Sequence, residues 1–120
     1  MKDENCIFCK IIKKEIPADI VYEDDNMIAF LDAKPKSPGH TLIVPKKHFK
    51  TILDIPDTFG VDIMKAAKKV ALKMIKEGKA DGFNFNMNNY PSAGQVVHHA
   101  HYHLLPRKTG DGLKDKLLFD

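Results

Sequence analysis

Nowhere in the chain does an apolar run approach the roughly 20 residues needed to span a bilayer, so no transmembrane helix is expected. A dense basic stripe is missing too: 19 Lys and Arg are interspersed with 16 Asp and Glu, for a net charge of +3. Nucleic acid is therefore not the expected partner. The opening MKDENCIFCK lacks a long apolar stretch with a small-residue cleavage site, so it does not read as a secretory signal, and cytoplasm is the expected compartment. Cysteine is scarce. The two present are three residues apart, and a structural disulfide is not expected of them. There is no repeat, no low-complexity tract and no linker. The 120 residues, 43% hydrophobic, are long enough to form one compact domain, 1–120, around a single core.

Periodicity supplies the elements. Apolar residues at 7, 8, 11 and 12 in NCIFCKIIKKEIP mark a short helix that Pro17 closes. IVYEDDNMIAFLD reads as two strands, Ile20–Glu23 and Met27–Asp32, joined by a tight Asp-Asp-Asn turn. KPKSPG is a loop and HTLIVP a third strand. From Pro56 to Glu77 apolar residues recur at 59, 63, 66, 67, 70, 71 and 74, one face of a long amphipathic helix with Gly78 as its stop. GFNFNMNN alternates Phe83, Phe85 and Met87 with Asn84, Asn86 and Asn88, a half-buried strand. YPSAG is a turn, and Val96–Leu105 is a last strand ended by Pro106. The expected fold is α+β: a five-stranded, mostly antiparallel sheet with one long and one short helix.

Three constellations carry chemistry. VVHHAHYHLL packs four of the six histidines into six residues. On a strand, residues two apart share a face, roughly 6.5–7 Å from each other. His99, His101 and His103 therefore share one face, and His98, Ala100, Tyr102 and Leu104 the other. Buried imidazoles need hydrogen-bond partners, so such a row is rarely core filler. A surface cluster and an all-histidine metal site are the competing readings, but three histidines spread along a strand suit separate jobs better than one ion. Cys6 and Cys9, on a helix, put both sulfurs on one face where they can grip a single ion. A redox pair would follow a strand in a parallel sheet, and none precedes Cys6; two buried, inert cysteines are the plainer alternative. Zinc takes four ligands, and His48 and His99 are the candidate partners. Lastly, Ser92-Ala93-Gly94 is a small-residue turn running into the histidines. Such turns let backbone N–H groups approach an anion, though ordinary hairpins look the same. Asn88 and Gln95 add polar side chains at its rim.

GQVVHHAHYHLLPR resembles the signature of the histidine triad (HIT) family, His-φ-His-φ-His-φ-φ with φ apolar, here running from His99 to Leu105. CIFCKIIKKEIPADIVYEDDNMIAFLDAKPKSPGHTLIVPKKHF is similar to the N-terminal half of the family's nucleotide-binding branch, and FNMNNYPSAGQ to its phosphate-loop approach. The resemblance covers about residues 4–107 and leaves a short tail, 108–120. It implies an α+β protomer whose sheet joins a second copy's to make a ten-stranded one. It also implies hydrolysis or transfer at the α-phosphate of a nucleotide, commonly a purine nucleoside phosphoramidate.

Carried over position by position, the resemblance makes His101 the nucleophile, with His103 and His40 as phosphate-site histidines. Asn88, Gly94, Gln95 and the Val96 backbone match the phosphate turn, and Asp32 the acid that binds the ribose hydroxyls. Phe8, Ile11, Ile16, Phe30 and Leu42 match the apolar base pocket. Cys6, Cys9, His48 and His99 match the zinc ligands of metal-binding members, a structural site because all four positions are filled by protein. The chain departs from the pattern at Val96, where many relatives carry Ser or Thr, at the additional His98, and in a tail without the Trp-Pro-Pro-Gly ending of some relatives. A dinucleoside polyphosphate hydrolase or phosphorylase, and a nucleotide-binding regulatory protein with little catalysis, are the alternative functions. A homodimer is expected, with Ala66, Ala67 and Ala71 as small residues that admit a close neighbour.

Overall fold

The computed structural model describes residues 5–113. A short helix α1 (Ile7–Ile12) opens it, capped by Cys6, whose Sγ accepts the Cys9 N–H at 3.3 Å. The helix stops before Pro17 is reached. Lys14 adopts φ +65°, and the Glu15 and Lys14 N–H groups return to the carbonyls of Lys10 and Ile11 at 2.9 and 3.0 Å. That pairing satisfies the last carbonyls as a glycine-type cap would. The sheet follows as β1 (Ile20–Glu23), β2 (Met27–Leu31) and β3 (Thr41–Pro45). After two short 3₁₀ turns come α2 (Gly60–Lys76), β4 (Gly82–Asn86) and β5 (Tyr102–Arg107). The order is β1-β2-β3-β5-β4, with every neighbouring pair antiparallel.

The long helix starts later than its apolar pattern, because Asp57–Phe59 forms a 3₁₀ turn. It ends as the sequence suggests. Gly78 sits at φ +75°, while Gly78 and Lys79 donate to the carbonyls of Ile75 and Met74 at 3.1 and 2.9 Å.

The two faces of the sheet hold different clusters. Under α2 lie Met27, Ala29, Ile43, Tyr102 and Leu104 with Ala66, Val70, Ala71 and Met74. Met27, Ile43 and Leu104 are wholly buried, each contributing about 1.5–3 kcal/mol. Ala66 and Ala71 are filled in by this chain's own core, so they do not mark a face for a second copy. On the opposite face α1 packs Phe8, Cys9 and Ile11 against Ile28, Phe30, Leu42 and Val44.

Two expectations for the sheet change. The last strand is Tyr102–Arg107 and not 96–105. Its approach is pinned by other bonds, among them Ala100 N–H to the Phe49 carbonyl at 2.7 Å. Pro106 lies inside the strand. The pairing with β3 ends at Leu104, so Pro106 has an unpaired edge on which a missing N–H is tolerated. The apolar face of β4 is also less covered than its alternation implies. Phe83 and Phe85 remain 44% and 40% exposed on a strand at the edge of the sheet.

Candidate active site and metal centre

His99, His101 and His103 do share a face although only the last lies in a regular strand. Phe8 meets His99 and His101 edge-on at ring-centroid distances of 5.8 and 5.1 Å, and His101 lies 5.0 Å from His103. Tyr102 and Leu104 point the other way, into the α2 core. The shared face nonetheless divides into two centres.

The first gathers Cys6, Cys9, His48 and His99, whose ligand atoms all lie within 4.8 Å of one another. Cys6 Sγ is 3.4 Å and Cys9 Sγ 3.6 Å from His99 Nδ1, and Cys9 Sγ is 3.3 Å from His48 Nδ1. A tetrahedral zinc with bonds of about 2.3 Å to sulfur and about 2.0–2.1 Å to nitrogen has S···N edges of about 3.5 Å, so the donor set fits one such ion. His99 Nε2 is 2.8 Å from the Pro45 carbonyl. A carbonyl only accepts, so that nitrogen carries the proton and Nδ1 presents its lone pair to the sulfurs. Burial holds the His99 imidazole neutral, with its pKa pushed down to about 4. Burial pushes the Cys6 thiol up to about 11, because desolvation disfavours the thiolate.

The second centre starts two residues on. His101 Nδ1 lies 2.7 Å from the His99 carbonyl, so Nδ1 is protonated and the lone pair is on Nε2. Burial, the main cause, lowers the His101 pKa, with the carbonyl bond opposing it. A neutral imidazole with a free nitrogen is what a nucleophile requires. Beside it the Lys36 N–H donates to His40 Nδ1 at 3.2 Å, and His40 Nε2 is 2.9 Å from His103 Nδ1. With its Nδ1 accepting, neutral His40 carries the proton on Nε2 and gives it to His103 Nδ1. His103 is left with Nε2–H as a donor. Burial lowers both pKa values, His103 to about 4. Among the described residues only Ser37 Oγ and Asn86 Oδ1 are buried side-chain atoms without a partner. The unbonded Nε2 atoms of His101 and His103 are therefore open to solvent, one an acceptor and one a donor.

Around them Phe8, Ile11, Phe30 and Leu42 are buried and Ile16 half-buried in the α1 cluster, with Phe8 set edge-on to Phe30 at 5.5 Å. Asp32 takes a turn-capping bond: Oδ1 accepts the Lys34 N–H at 3.0 Å, while Oδ2 lies 3.7 Å from His40 Nδ1. Gly94 has φ +96°, a left-handed conformation that favours glycine, while a Cβ there would meet Asn88 Nδ2 only at ordinary contact distance, 3.4 Å. Val96 is 85% exposed and His98 exposed.

Gln95, expected at the rim, is turned inward. Its Oε1 accepts the Tyr90 N–H at 2.7 Å, and Nε2 donates to the carbonyls of Lys50 and Val97 at 2.7 and 3.1 Å. Its part is to hold the turn's shape. The pattern of residues had not marked Tyr90 or Asn89, whose Oδ1 accepts the Ile52 N–H at 2.8 Å. A cavity of about 680 Å³ lies away from all of this, among Val70 and Met74 of α2, Gly39, Pro106 and Leu113, and none of its lining residues belongs to either centre.

The profile of the HIT domain matches residues 13–110. A HIT-like protein of Methanocaldococcus jannaschii is 49% identical over 107 residues, spanning 89% of this chain and 82% of its own. The adenosine 5′-monophosphoramidase of Saccharomyces cerevisiae is 46% identical over 106 residues, 88% of this chain and 65% of its own. Among solved structures, a zinc-bound histidine triad family protein from Mycobacterium smegmatis superposes with a TM-score of 0.86 at 35% identity, covering 91% of this chain and 79% of that one. With its three histidines on one face, the chain belongs to the histidine triad family.

Proposed function

We propose that the protein hydrolyses purine nucleoside phosphoramidates at the α-phosphate through a nucleotidyl-histidine on His101. One observation carries this reading: the His101 Nδ1 contact with the His99 carbonyl, which leaves a neutral imidazole with its lone pair on an open Nε2. In the first step Nε2 attacks phosphorus and the P–N bond breaks. The electron pair leaves with the amine, which takes its proton from water, while the His103 Nε2–H donates a hydrogen bond to a phosphate oxygen. His40 and the Lys36 N–H keep His103 in the donating tautomer. Water then attacks the phosphorus and gives up a proton to solvent, and the P–N bond to His101 breaks to release the nucleoside monophosphate. The yeast relative is named for this class of substrate.

The remaining residues bind and orient. Phe8, Ile11, Ile16, Phe30 and Leu42 take the base, Asp32 the ribose hydroxyls, and Asn88 with the Val96 N–H the phosphate, while Gly94 and Gln95, whose own N–H groups bond the Pro91 and Tyr90 carbonyls, shape the turn. Zinc held by Cys6, Cys9, His48 and His99 has a structural role, cross-linking α1 to the segment that ends in His101. A second copy covers the edge strand β4, where Phe83 and Phe85 are exposed. Incubation with adenosine 5′-phosphoramidate, a diadenosine polyphosphate and ADP, with products separated by chromatography, tests the reading. AMP from the phosphoramidate is the expected product. AMP released only from the polyphosphate would favour the polyphosphate hydrolase, and no product from any of the three would reject catalysis.

A further inference from the structure

The cavity of about 680 Å³ on the α2 side of the sheet has the size of a small-molecule site, and the nucleotide reading makes no use of it. Its body is apolar, lined by Val21, Leu31, Val70, Met74, Pro106 and Leu113. One end is shut by close packing: a Cβ at Gly39 would come within 3.2 Å of Pro106 Cγ and 3.3 Å of Met74 Sδ. None of the lining residues is aromatic, so the walls offer a guest aliphatic contact and no ring to stack on. Ser37 also stands in the wall. It is 4% exposed, and its Oγ is one of two buried side-chain atoms without a partner among the described residues. The wall thus holds a hydroxyl that the protein's own groups do not satisfy.

The charged part of the lining is uneven. Lys73, Lys79 and Lys108 share it with Glu77 and Asp111. Both acids are already taken: Glu77 pairs with Lys79 at 3.1 Å, and Asp111 with the Arg107 guanidinium at 2.8 and 3.0 Å. Lys73 and Lys108 remain as exposed cations with no ion pair among the described residues. The C-terminal end of α2 would by itself disfavour an anion. Here its carbonyls at Lys73, Met74 and Ile75 are taken up by the N–H groups of Glu77, Lys79 and Gly78. An apolar body with a cationic rim fits a molecule of the complementary build. We propose that this cavity is a second ligand site, separate from the histidine row, that takes a free fatty carboxylate of medium chain length. Its carboxylate lies against Lys73 and Lys108, and its alkyl chain lies between Val21, Val70 and Met74. Nothing in this depends on the chemistry at His101.

The test titrates the full chain with decanoate, below its micelle concentration, by calorimetry and by amide NMR. Saturable binding is expected, with shifts at Ser37, Gly39, Val70, Met74 and Leu113 and none at Phe8 and Ile11 beside the histidines. Decylammonium, the same chain with the opposite charge, should bind roughly tenfold more weakly. The double variant Lys73→Gln, Lys108→Gln should weaken decanoate by about 3- to 10-fold. Val21→Phe adds a ring to the cavity from the half-buried edge strand β1, and it should block decanoate without lowering the melting temperature. Shifts confined to Phe8 and Ile11 would put decanoate in the base pocket and overturn the site. Equal binding of the two amphiphiles, or an affinity unchanged in the lysine variant, overturns it as well. So does an absence of binding to the full chain. Binding that appears only once residues 114–120 are deleted would assign the cavity to the chain's own Leu117, Leu118 and Phe119, and the fatty carboxylate would be the wrong occupant.

Discussion

His99 and His101 are the same residue, two positions apart, facing the same way and both almost fully buried, yet they present opposite nitrogens. His99 gives Nε2–H to the Pro45 carbonyl and offers Nδ1 to two sulfurs. His101 gives Nδ1–H to the His99 carbonyl and offers Nε2 to the open site. Burial removes the charged form of each, and one carbonyl then chooses the tautomer. The different parts we propose for the two, metal ligand and nucleophile, therefore rest on backbone acceptors rather than on side-chain identity. The same bond also chains the two centres: the carbonyl that orients His101 belongs to His99.

The largest effect expected is on turnover. His101→Asn removes the lone pair, and its amide can still donate to the His99 carbonyl. A fall in kcat of at least about 10⁴-fold is predicted, in keeping with loss of a nucleophile elsewhere. Zinc content and melting temperature should stay near wild type, and nucleotide binding should survive. His99→Asn should act in the reverse order. It leaves three donors around a buried site, and because metal binding is coupled to folding the bound zinc should drop and the melting temperature fall by roughly 10 °C or more. Activity then falls as a consequence. Metal analysis, a thermal melt and a turnover assay on both variants decide the matter. A His101→Asn protein that loses zinc, or that still turns over, would merge the two centres.

Periodicity made the strands, the long helix and the common face of the three histidines readable from the residues alone, because burial on a sheet has period two whether or not the ladder is complete. The spacing of Cys6 and Cys9, with His48 and His99 named beside them, also picked out four residues that the fold brings within 4.8 Å of one another. It could not supply the backbone partners that assign each imidazole its role: the Pro45 and His99 carbonyls and the Lys36 N–H are present in any sequence. Nor could it tell that Gln95 turns inward, that Tyr90 takes a positive φ, or that Ala66 and Ala71 serve this chain's own core. Those depend on contacts between segments up to 45 residues apart. The end of β5 was misjudged because Pro106 reads as a strand breaker unless one knows that β3 has already ended.

The acid limb of the pH profile sharpens the contrast further. An unfolded histidine takes its proton near pH 6.5, whereas His103 does so at about 4. Between those values the unfolded chain binds the additional proton, so stability falls as pH drops from about 6.5 toward 4 and is complete above that window. His40 and His101 are shifted the same way. The logarithm of kcat/KM should therefore begin its acid fall below pH 6.5. A midpoint at or above 6.5 would mean that the site does not keep its imidazoles desolvated.

The smallest effect belongs to Asp32, and it separates two duties of one carboxylate. Its Oδ1 caps the turn through the Lys34 N–H, a bond an asparagine oxygen can also accept, so Asp32→Asn should fold normally. What the substitution removes is charge. Asp32 raises the pKa of His40, His101 and His103 against the burial that lowers them, so its loss should move the acid limb to still lower pH. If the same carboxylate accepts from two vicinal ribose hydroxyls, those charge-assisted bonds weaken as well, and ribonucleotide affinity should fall about tenfold. Binding of the 2′-deoxynucleotide, which offers one hydroxyl fewer, should fall less. Titrations of AMP and 2′-deoxy-AMP alongside the pH profile give both readouts. Equal losses for the two nucleotides with a shifted acid limb would make Asp32 an electrostatic neighbour of the histidines and not a ribose ligand. Unequal losses with an unmoved limb would place it on the sugar and isolate it from the row.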